Sequence, residues 1–301
     1  MKKTVFIGSV LSSKFALEAL IESNVKLDLV CSLDEEASKN VSDYYPIHEI
    51  ADKYNIPFIK FKKINSDEVI NKIRKISPNF IFVIGLSQII STEIIEAAKE
   101  YAVGFHPTPL PKHRGRAAIP WQIILGINKS KVSLFKLDQG VDSGDIICQY
   151  PYVIEKTDYA IDVYNKVCEA MSNALKECIP SMYDDTVKFK QQNHEEASYL
   201  LIRRPEDGEV DWNLSGKEIE TLIRATSKPY PGAFAYYKEC KIIFWKARLE
   251  NNEKYIGIPG QIACINENNE IGIITKDCIL VITEYEVIDN KNSFIVGHKF
   301  N

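Results

Sequence analysis

The 301-residue chain has no apolar run approaching the roughly 18 residues that a membrane-spanning helix needs. Its 14 glycines and 13 prolines are too few for a collagenous or low-complexity protein. It lacks any CxxC pair. The seven cysteines (Cys31, Cys148, Cys168, Cys178, Cys240, Cys264 and Cys278) are scattered through apolar stretches, as expected of free thiols in a reducing cytoplasm. The five histidines never fall at metal-ligand spacing, so no metal is expected. Positive charge is scarce as well. Lys and Arg number 37 against 41 Asp and Glu, a net charge of −4, and the acidic excess is the same on either side of residue 200. A nucleic-acid binder would carry a basic excess, so nucleic acid is not an expected partner. Lys2-Lys3 precedes an apolar run that stops at Gly8, which reads as a strand rather than a secretion signal. These absences argue against membrane, secreted and disordered classes, and the length suits two domains.

What is present is regular. Over the first 100 residues strand-like and helix-like segments alternate. Thr4 to Val10 is β-branched and apolar, and Ser12-Ser13 then offers an N-cap for a helix over Lys14 to Glu22. Lys26 to Ser32 and Pro57 to Phe61 read as strands, and Ile47 to Tyr54 and Ser66 to Lys75 as helices. Asn79 to Ile84 is apolar throughout most of its length, as a strand buried on both faces would be, and Ser91 to Lys99 reads as a capped helix. Such βα units predict an α/β fold with a doubly wound, mostly parallel sheet. Ligands would sit at the carboxyl ends of its strands. The turn Gly8-Ser9-Val10-Leu11-Ser12-Ser13 holds one glycine and no GxGxxG, so a nicotinamide or flavin dinucleotide is not expected. Strands over Lys131 to Leu137 and Ile146 to Ile154 and a helix over Ala160 to Cys178 follow. A polar stretch near 184–202 reads as a linker between a catalytic domain, 1–190, and a smaller β-rich domain, 203–301. A helix near Lys217 to Thr226 and several short strands give the latter the pattern of a small barrel or sandwich.

The densest anomaly is Gly104-Phe105-His106-Pro107-Thr108-Pro109-Leu110-Pro111-Lys112-His113-Arg114-Gly115-Arg116, which follows a strand over Tyr101 to Phe105. Four prolines between 107 and 120 stiffen it, and a histidine stands at the strand's end. By itself this could be a braced surface loop. An acidic loop, Asp138-Gln139-Gly140-Val141-Asp142-Ser143-Gly144-Asp145, is expected to leave a strand at the same edge of the sheet. Its Asp and Gly residues also suit a simple turn. Together the two loops can pair a histidine with a carboxylate that orients it and moves its proton equilibrium.

These paired motifs resemble the 10-formyltetrahydrofolate-dependent formyltransferases, whose pattern is N-x-H-x-S-L-L-P-x-x-R-G followed by D-x-G-x-D-x-G-D-I. Val83-Ile84-Gly85-Leu86-Ser87 is similar to that family's loop beside the pterin. Arg203 to Trp212 and Tyr230-Pro231-Gly232-Ala233-Phe234 are similar to the entry into the C-terminal domain of tRNA and sugar members. The resemblance implies a Rossmann-like formyltransferase sheet with a C-terminal OB-like barrel, and His106 and Asp142 as catalytic residues. It implies 10-formyltetrahydrofolate as co-substrate, held by Ile84, Gly85, Leu86, Asp138 and Val141. The implied reaction is attack of a neutral primary amine on the formyl carbon, with expulsion of the folate N10. The chain departs from the pattern beside its histidine: Gly104 stands where the family has asparagine. A water, a backbone N–H, protonated His106 or the Ser87-Gln88 side chains would have to replace that carboxamide, or the chain would be a hydrolase or an inactive binding homologue.

Among the family's acceptors, a nucleotide-linked amino sugar, as used for surface polysaccharide, fits better than initiator tRNA. The loop after the second strand, Ser32-Leu33-Asp34-Glu35-Glu36-Ala37, is acidic where tRNA members are basic. Arg114, Arg116 and Tyr230 are the implied substrate contacts, with loop bracing the alternative for Arg114 and inter-domain packing for Tyr230. A sheet edge or the second domain leaves room for a homodimer.

Overall fold

The computed structural model describes residues 2–39, 41–288 and 293–301. In chain order the elements are β1 (Thr4–Gly8), α1 (Leu11–Glu22), β2 (Leu27–Leu33), α2 (Ile47–Lys53), β3 (Phe58–Phe61), α3 (Asp67–Ile76), β4 (Phe80–Val83), α4 (Thr92–Ile95) and β5 (Tyr101–His106). Then come β6 (Arg114–Gly115), α5 (Ala118–Ile124), β7 (Lys129–Lys136), β8 (Ile146–Val153), α6 (Ala160–Tyr183) and β9 (Tyr199–Leu200). The last stretch holds α7 (Gly216–Thr226), β10 (Ala233–Tyr237), β11 (Cys240–Glu250), β12 (Ile262–Ile265), β13 (Ile271–Ile274) and β14 (Ile279–Val287). The chain forms two compact units. One comprises Met1–Ala118, Lys129–Val153 and Asn165–Leu201, the other Ile119–Asn128, Ile154–Tyr164 and Ile202–Asn301. The second thus takes in two short segments that no shift in composition marks.

The first unit is built on a seven-stranded sheet in the order β3-β2-β1-β4-β5-β7-β8. Strands β1 to β5 are parallel. The chain winds outward from β1 in both directions, so the switch point lies between β1 and β4. Val5, Phe6 and Ile7 are all fully buried, as a strand covered on both faces requires. One face carries Ile7, Cys31, Phe61 and Ile81 against Ile70 and Ile73 of α3. Helix α3 holds its charges where its dipole favours them, Asp67 and Glu68 in the first turn and Arg74 and Lys75 in the last.

Two local readings are corrected. Helix α1 starts at Leu11, so Ser12 and Ser13 lie inside its first turn instead of capping it. Ser13 Oγ accepts from the Ser9 and Val10 N–H groups (3.0 and 3.1 Å) and donates to Ile84 O (2.7 Å), tying the two turns at the switch point together. Helix α4 is a single turn, and although Ser91 occupies its N-cap position, its Oγ is buried without a partner among the described residues.

The sheet also ends in antiparallel strands, β7 against β5 and β8 against β7. The acidic loop therefore leaves β7 beside Ala102, where Leu137 N–H donates to Ala102 O (2.9 Å). That is four residues before His106, so the loop has to fold back to reach the strand's carboxyl end.

The second unit holds a five-stranded antiparallel sheet ordered β10-β11-β14-β13-β12. Ile219 and Ile223 of α7 pack with Phe244, Ile273, Leu280 and Phe300 in its core. Ser215 and Glu218 form a reciprocal capping box that starts α7. Among the described residues no helix is long and apolar enough to cross a membrane.

Candidate active site

His106 closes β5 and is 6% exposed. Its Nε2 lies 2.7 Å from His113 O. A carbonyl can only accept, so Nε2 carries a proton, and Nδ1 is left as the nitrogen that can gain or lose one. Nδ1 faces Asp142 Oδ2 at 3.5 Å. The carbonyl is itself fixed, since His113 O also receives Thr108 Oγ1 (3.1 Å), while Thr108 O receives Ser133 Oγ (2.7 Å). Ser133 stands opposite His106 in the ladder, so β7 steadies the proline loop from below.

Asp142 Oδ2 also accepts the Gly115 N–H at 2.8 Å. Left-handed backbone gathers around the pair: His113 (φ 61°), Gly115 (φ 108°), Ala117 (φ 53°) and Asp142 (φ 50°). Such conformations cost free energy in non-glycine residues and concentrate where surrounding contacts enforce them. Gly115 is required as glycine, because a Cβ there would stand 2.4 Å from Leu200 O. Burial, followed by the charges of Lys112 and His106, pushes the His113 imidazole below the ordinary histidine range. Its Nδ1 is buried without a partner among the described residues.

A cavity of about 740 Å³ opens against Asp142, while His106, buried behind it, is not one of its lining residues; the size suits a small organic ligand. Gly85, Leu86, Asp138, Val141 and Asp142, all predicted site residues, line it, together with Leu137 and Arg116. Ile84 does not: it is fully buried, and its carbonyl is bound by Ser13 Oγ. The Asp138 carboxylate takes Ser143 Oγ (2.7 Å) and the Gly140 N–H (3.0 Å), which shapes the acidic loop.

Arg114 is corrected outright as a substrate contact. It is 2% exposed, and its guanidinium donates to Gln192 Oε1 (2.6 and 3.2 Å), Tyr199 OH (3.3 Å) and His194 Nδ1 (3.2 Å). It braces the loop from within. Arg116, two residues on, is exposed, and its guanidinium has no hydrogen-bond or ion-pair partner among the described residues. Tyr230 belongs to the second unit, where its N–H donates to Ser227 O (3.1 Å), and it is not one of the cavity's lining residues.

Gly104 is buried, and a Cβ on it would stand 2.6 Å from Leu137 Cδ2 and 2.9 Å from Phe135 Cζ. Apolar side chains therefore fill the space into which a larger residue would project. The Gln88 carboxamide cannot stand in, because its Oε1 receives Ile64 N–H and its Nε2 donates to Lys62 O (both 2.9 Å). Ser87 is exposed and does not line the cavity. Of the donors considered from sequence, His106 and backbone N–H groups are those the protein's own fold still offers.

Gln192 escaped the sequence reading. It lies in the polar stretch taken as a linker, yet it is 4% exposed and bonded to both loops of the site. Its only signal was an amide in a charged segment, which is no signal at all. Among the described residues no group of three His, Cys, Asp or Glu side chains gathers as a metal site would.

Comparison with known proteins supplies the family. The chain matches the formyl transferase family over residues 2–179 and the formyl transferase C-terminal domain over 203–294. It is 30% identical over 297 residues to the methionyl-tRNA formyltransferase of Clostridioides difficile strain 630, covering 98% of this chain and 95% of that one. Among solved structures, HypX from Aquifex aeolicus in complex with tetrahydrofolic acid aligns with a TM-score of 0.68 at 17% identity, over 94% of this chain and 44% of HypX. The N-formyltransferase from Helicobacter canadensis, in complex with folinic acid and dTDP-3-aminofucose, aligns with a TM-score of 0.63 at 20% identity, over 94% of this chain and 99% of its own. At these identities the structural matches speak for the fold, whereas the sequence matches speak for kinship. The protein belongs to the formyl transferase family.

Proposed function

We propose that the protein transfers a formyl group from 10-formyltetrahydrofolate to the primary amine of a nucleotide-linked amino-deoxysugar. The observation that carries the reading is the pairing of His106 Nδ1 with Asp142 Oδ2 at 3.5 Å, with Asp142 itself on the wall of the 740 Å³ cavity. The cavity suits a folate. Leu86, Ile90 and Leu137 give it apolar walls for a flat ring, and Asp138 and backbone groups give it a polar rim. When bound, the folate supplies an activated formyl carbon. His106 takes the proton released by the attacking amine and returns one to the departing nitrogen, a task suited to an imidazole. Asp142, fixed by the Gly115 N–H, holds the ring's orientation and balances its charge while protonated.

Charge supports the sugar acceptor. Arg116 lines the cavity as a cation with no partner among the described residues, enough for one diphosphate. Behind β2, Glu35 and Glu36 pair with Lys60 and Lys62 and cancel the positive charge at that edge. The Helicobacter canadensis neighbour, solved with dTDP-3-aminofucose, supports the same reading. Kinship with methionyl-tRNA formyltransferases favours a second one, in which methionyl-tRNA is the acceptor. Measuring kcat/KM for dTDP-3-aminofucose and a panel of other nucleotide amino sugars against methionyl-tRNA separates the two. Turnover of a sugar well above that of the tRNA is expected. The reverse order would replace the proposal with the second reading.

A further inference from the structure

Asp142 is held to His106 by a single carboxylate contact at 3.5 Å, on a loop that must double back from β7 to make it. Something has to keep that loop in place. Gln192 does so with every hydrogen-bonding atom of its amide. Its Nε2 donates to Asp142 O (2.8 Å) and Gly144 O (2.6 Å), the two carbonyls that flank the turn at Ser143. Its Oε1 accepts from Arg114 Nη2 (2.6 Å) and Nε (3.2 Å). Arg114 N–H in turn donates to Ser198 O (2.8 Å), and Ser198 Oγ accepts the N–H of His113, the residue whose carbonyl holds His106 Nε2. Beside the direct bond from Gly115 N–H to Asp142 Oδ2 (2.8 Å), Gln192 is thus a second, buried link between the loop that carries Asp142 and the loop that fixes His106, and it holds the Asp142 backbone instead of its carboxylate.

We propose that Gln192 is a positioning residue for formyl transfer, setting the distance between Asp142 and His106 through the Asp142 and Gly144 carbonyls. It touches neither substrate nor the reacting atoms. The role depends on its chemistry as an amide. Only a side chain that donates twice on one edge and accepts on the other can serve two carbonyls and a guanidinium together. The inference rests on the formyl-transfer reading above, and its test is arranged so that the two can fail separately.

Two substitutions divide the role. Gln192→Glu keeps the acceptor facing Arg114 but turns an oxygen toward the two carbonyls, whereas Gln192→Leu removes all four bonds at nearly equal volume. Each is measured in the full chain for melting temperature, tetrahydrofolate affinity, and the imidazole ¹⁵N shifts of His106 at fixed pH. Turnover with 10-formyltetrahydrofolate and the best amino-sugar acceptor is measured alongside. A misplacement of about 1 Å in a catalytic group costs on the order of 100-fold in rate. In Gln192→Glu, kcat is expected to fall about 10- to 100-fold with the folate KM within about twofold of wild type. The His106 Nδ1 shift is expected to move in the direction seen in Asp142→Asn. A Gln192→Glu protein with wild-type kcat and His106 shifts would overturn the proposal and leave Gln192 as a brace for Arg114 alone. Should Gln192→Leu fail to fold, Gln192→Glu still decides. The shifts need no acceptor, so the absence of any amino-sugar product would count against the substrate reading only.

Discussion

Replacing Gly104 by asparagine restores the residue type of the resembled pattern, yet the packing around it gives the substitution a cost. A Cβ alone would lie 2.6 Å from Leu137 Cδ2 and 2.9 Å from Phe135 Cζ, both well inside van der Waals contact. The carboxamide beyond it has to displace the same two side chains. Overpacking of this kind costs roughly 1–3 kcal/mol. At about 2–4 °C per kcal/mol for a unit of this size, Gly104→Asn should lower the melting temperature by roughly 2–12 °C. The decisive form is a double-mutant cycle with Leu137→Ala, read by urea unfolding. Leu137→Ala should cost stability in the wild-type background and much less in the Gly104→Asn background, where it relieves the clash. A favourable coupling of roughly 1 kcal/mol or more is expected. A neutral Gly104→Asn, or additive effects of the two substitutions, would show that Leu137 does not occupy the space and would refute the packing argument.

The two arginines of the proline loop should behave oppositely. Arg114→Ala strips partners from Gln192 and is expected to cost about 3 kcal/mol or more, since hydrogen bonds to a charged donor contribute about 1.5–3 kcal/mol each. Chemical denaturation checks it. Arg116→Ala should leave stability within about 0.5 kcal/mol. It should raise the KM of the nucleotide sugar with little change in that of the folate, and an unchanged sugar KM would remove Arg116 from the acceptor site. His113, held below the ordinary histidine range by burial, binds its proton less readily folded than unfolded. Its contribution is complete above the unfolded value near 6.5 and declines as pH falls below it. Wild-type melting temperature should therefore drop more steeply than that of His113→Gln between about pH 7 and pH 5.5, and parallel curves would contradict the assignment.

The sequence disclosed those parts of the molecule that depend on local pattern. Strand β4 was visible because Phe80-Ile81-Phe82-Val83 is apolar on both faces, and Ile70 and Ile73, three apart on one face, announced α3. His106 and Asp142 were visible because each sits in a motif. Long-range pairing stayed hidden. Gln192 reaches Arg114 across 78 residues and Asp142 across 50, and no periodicity records such contacts. Ser13 looked like a cap because its type favours caps, whereas a carbonyl 71 residues away claims its hydroxyl. For Arg114 the motif left substrate contact and loop bracing both open. The ladder of β6 with β9, two residues long, places it inside. Antiparallel β7 could not be distinguished from a parallel strand by composition, so the return path of the Asp142 loop was unreadable.

If His106 and Asp142 together carry formyl transfer to an amine, removing either must stop it. Tetrahydrofolate release from 10-formyltetrahydrofolate is followed with and without a nucleotide amino sugar, in wild type, His106→Ala and Asp142→Asn. Release should require the amine. It should fall by about 10²–10⁴-fold in both variants, the range for loss of a positioned proton carrier, while tetrahydrofolate still binds. Near-wild-type release in either variant, or equal release without any amine, would contradict the account.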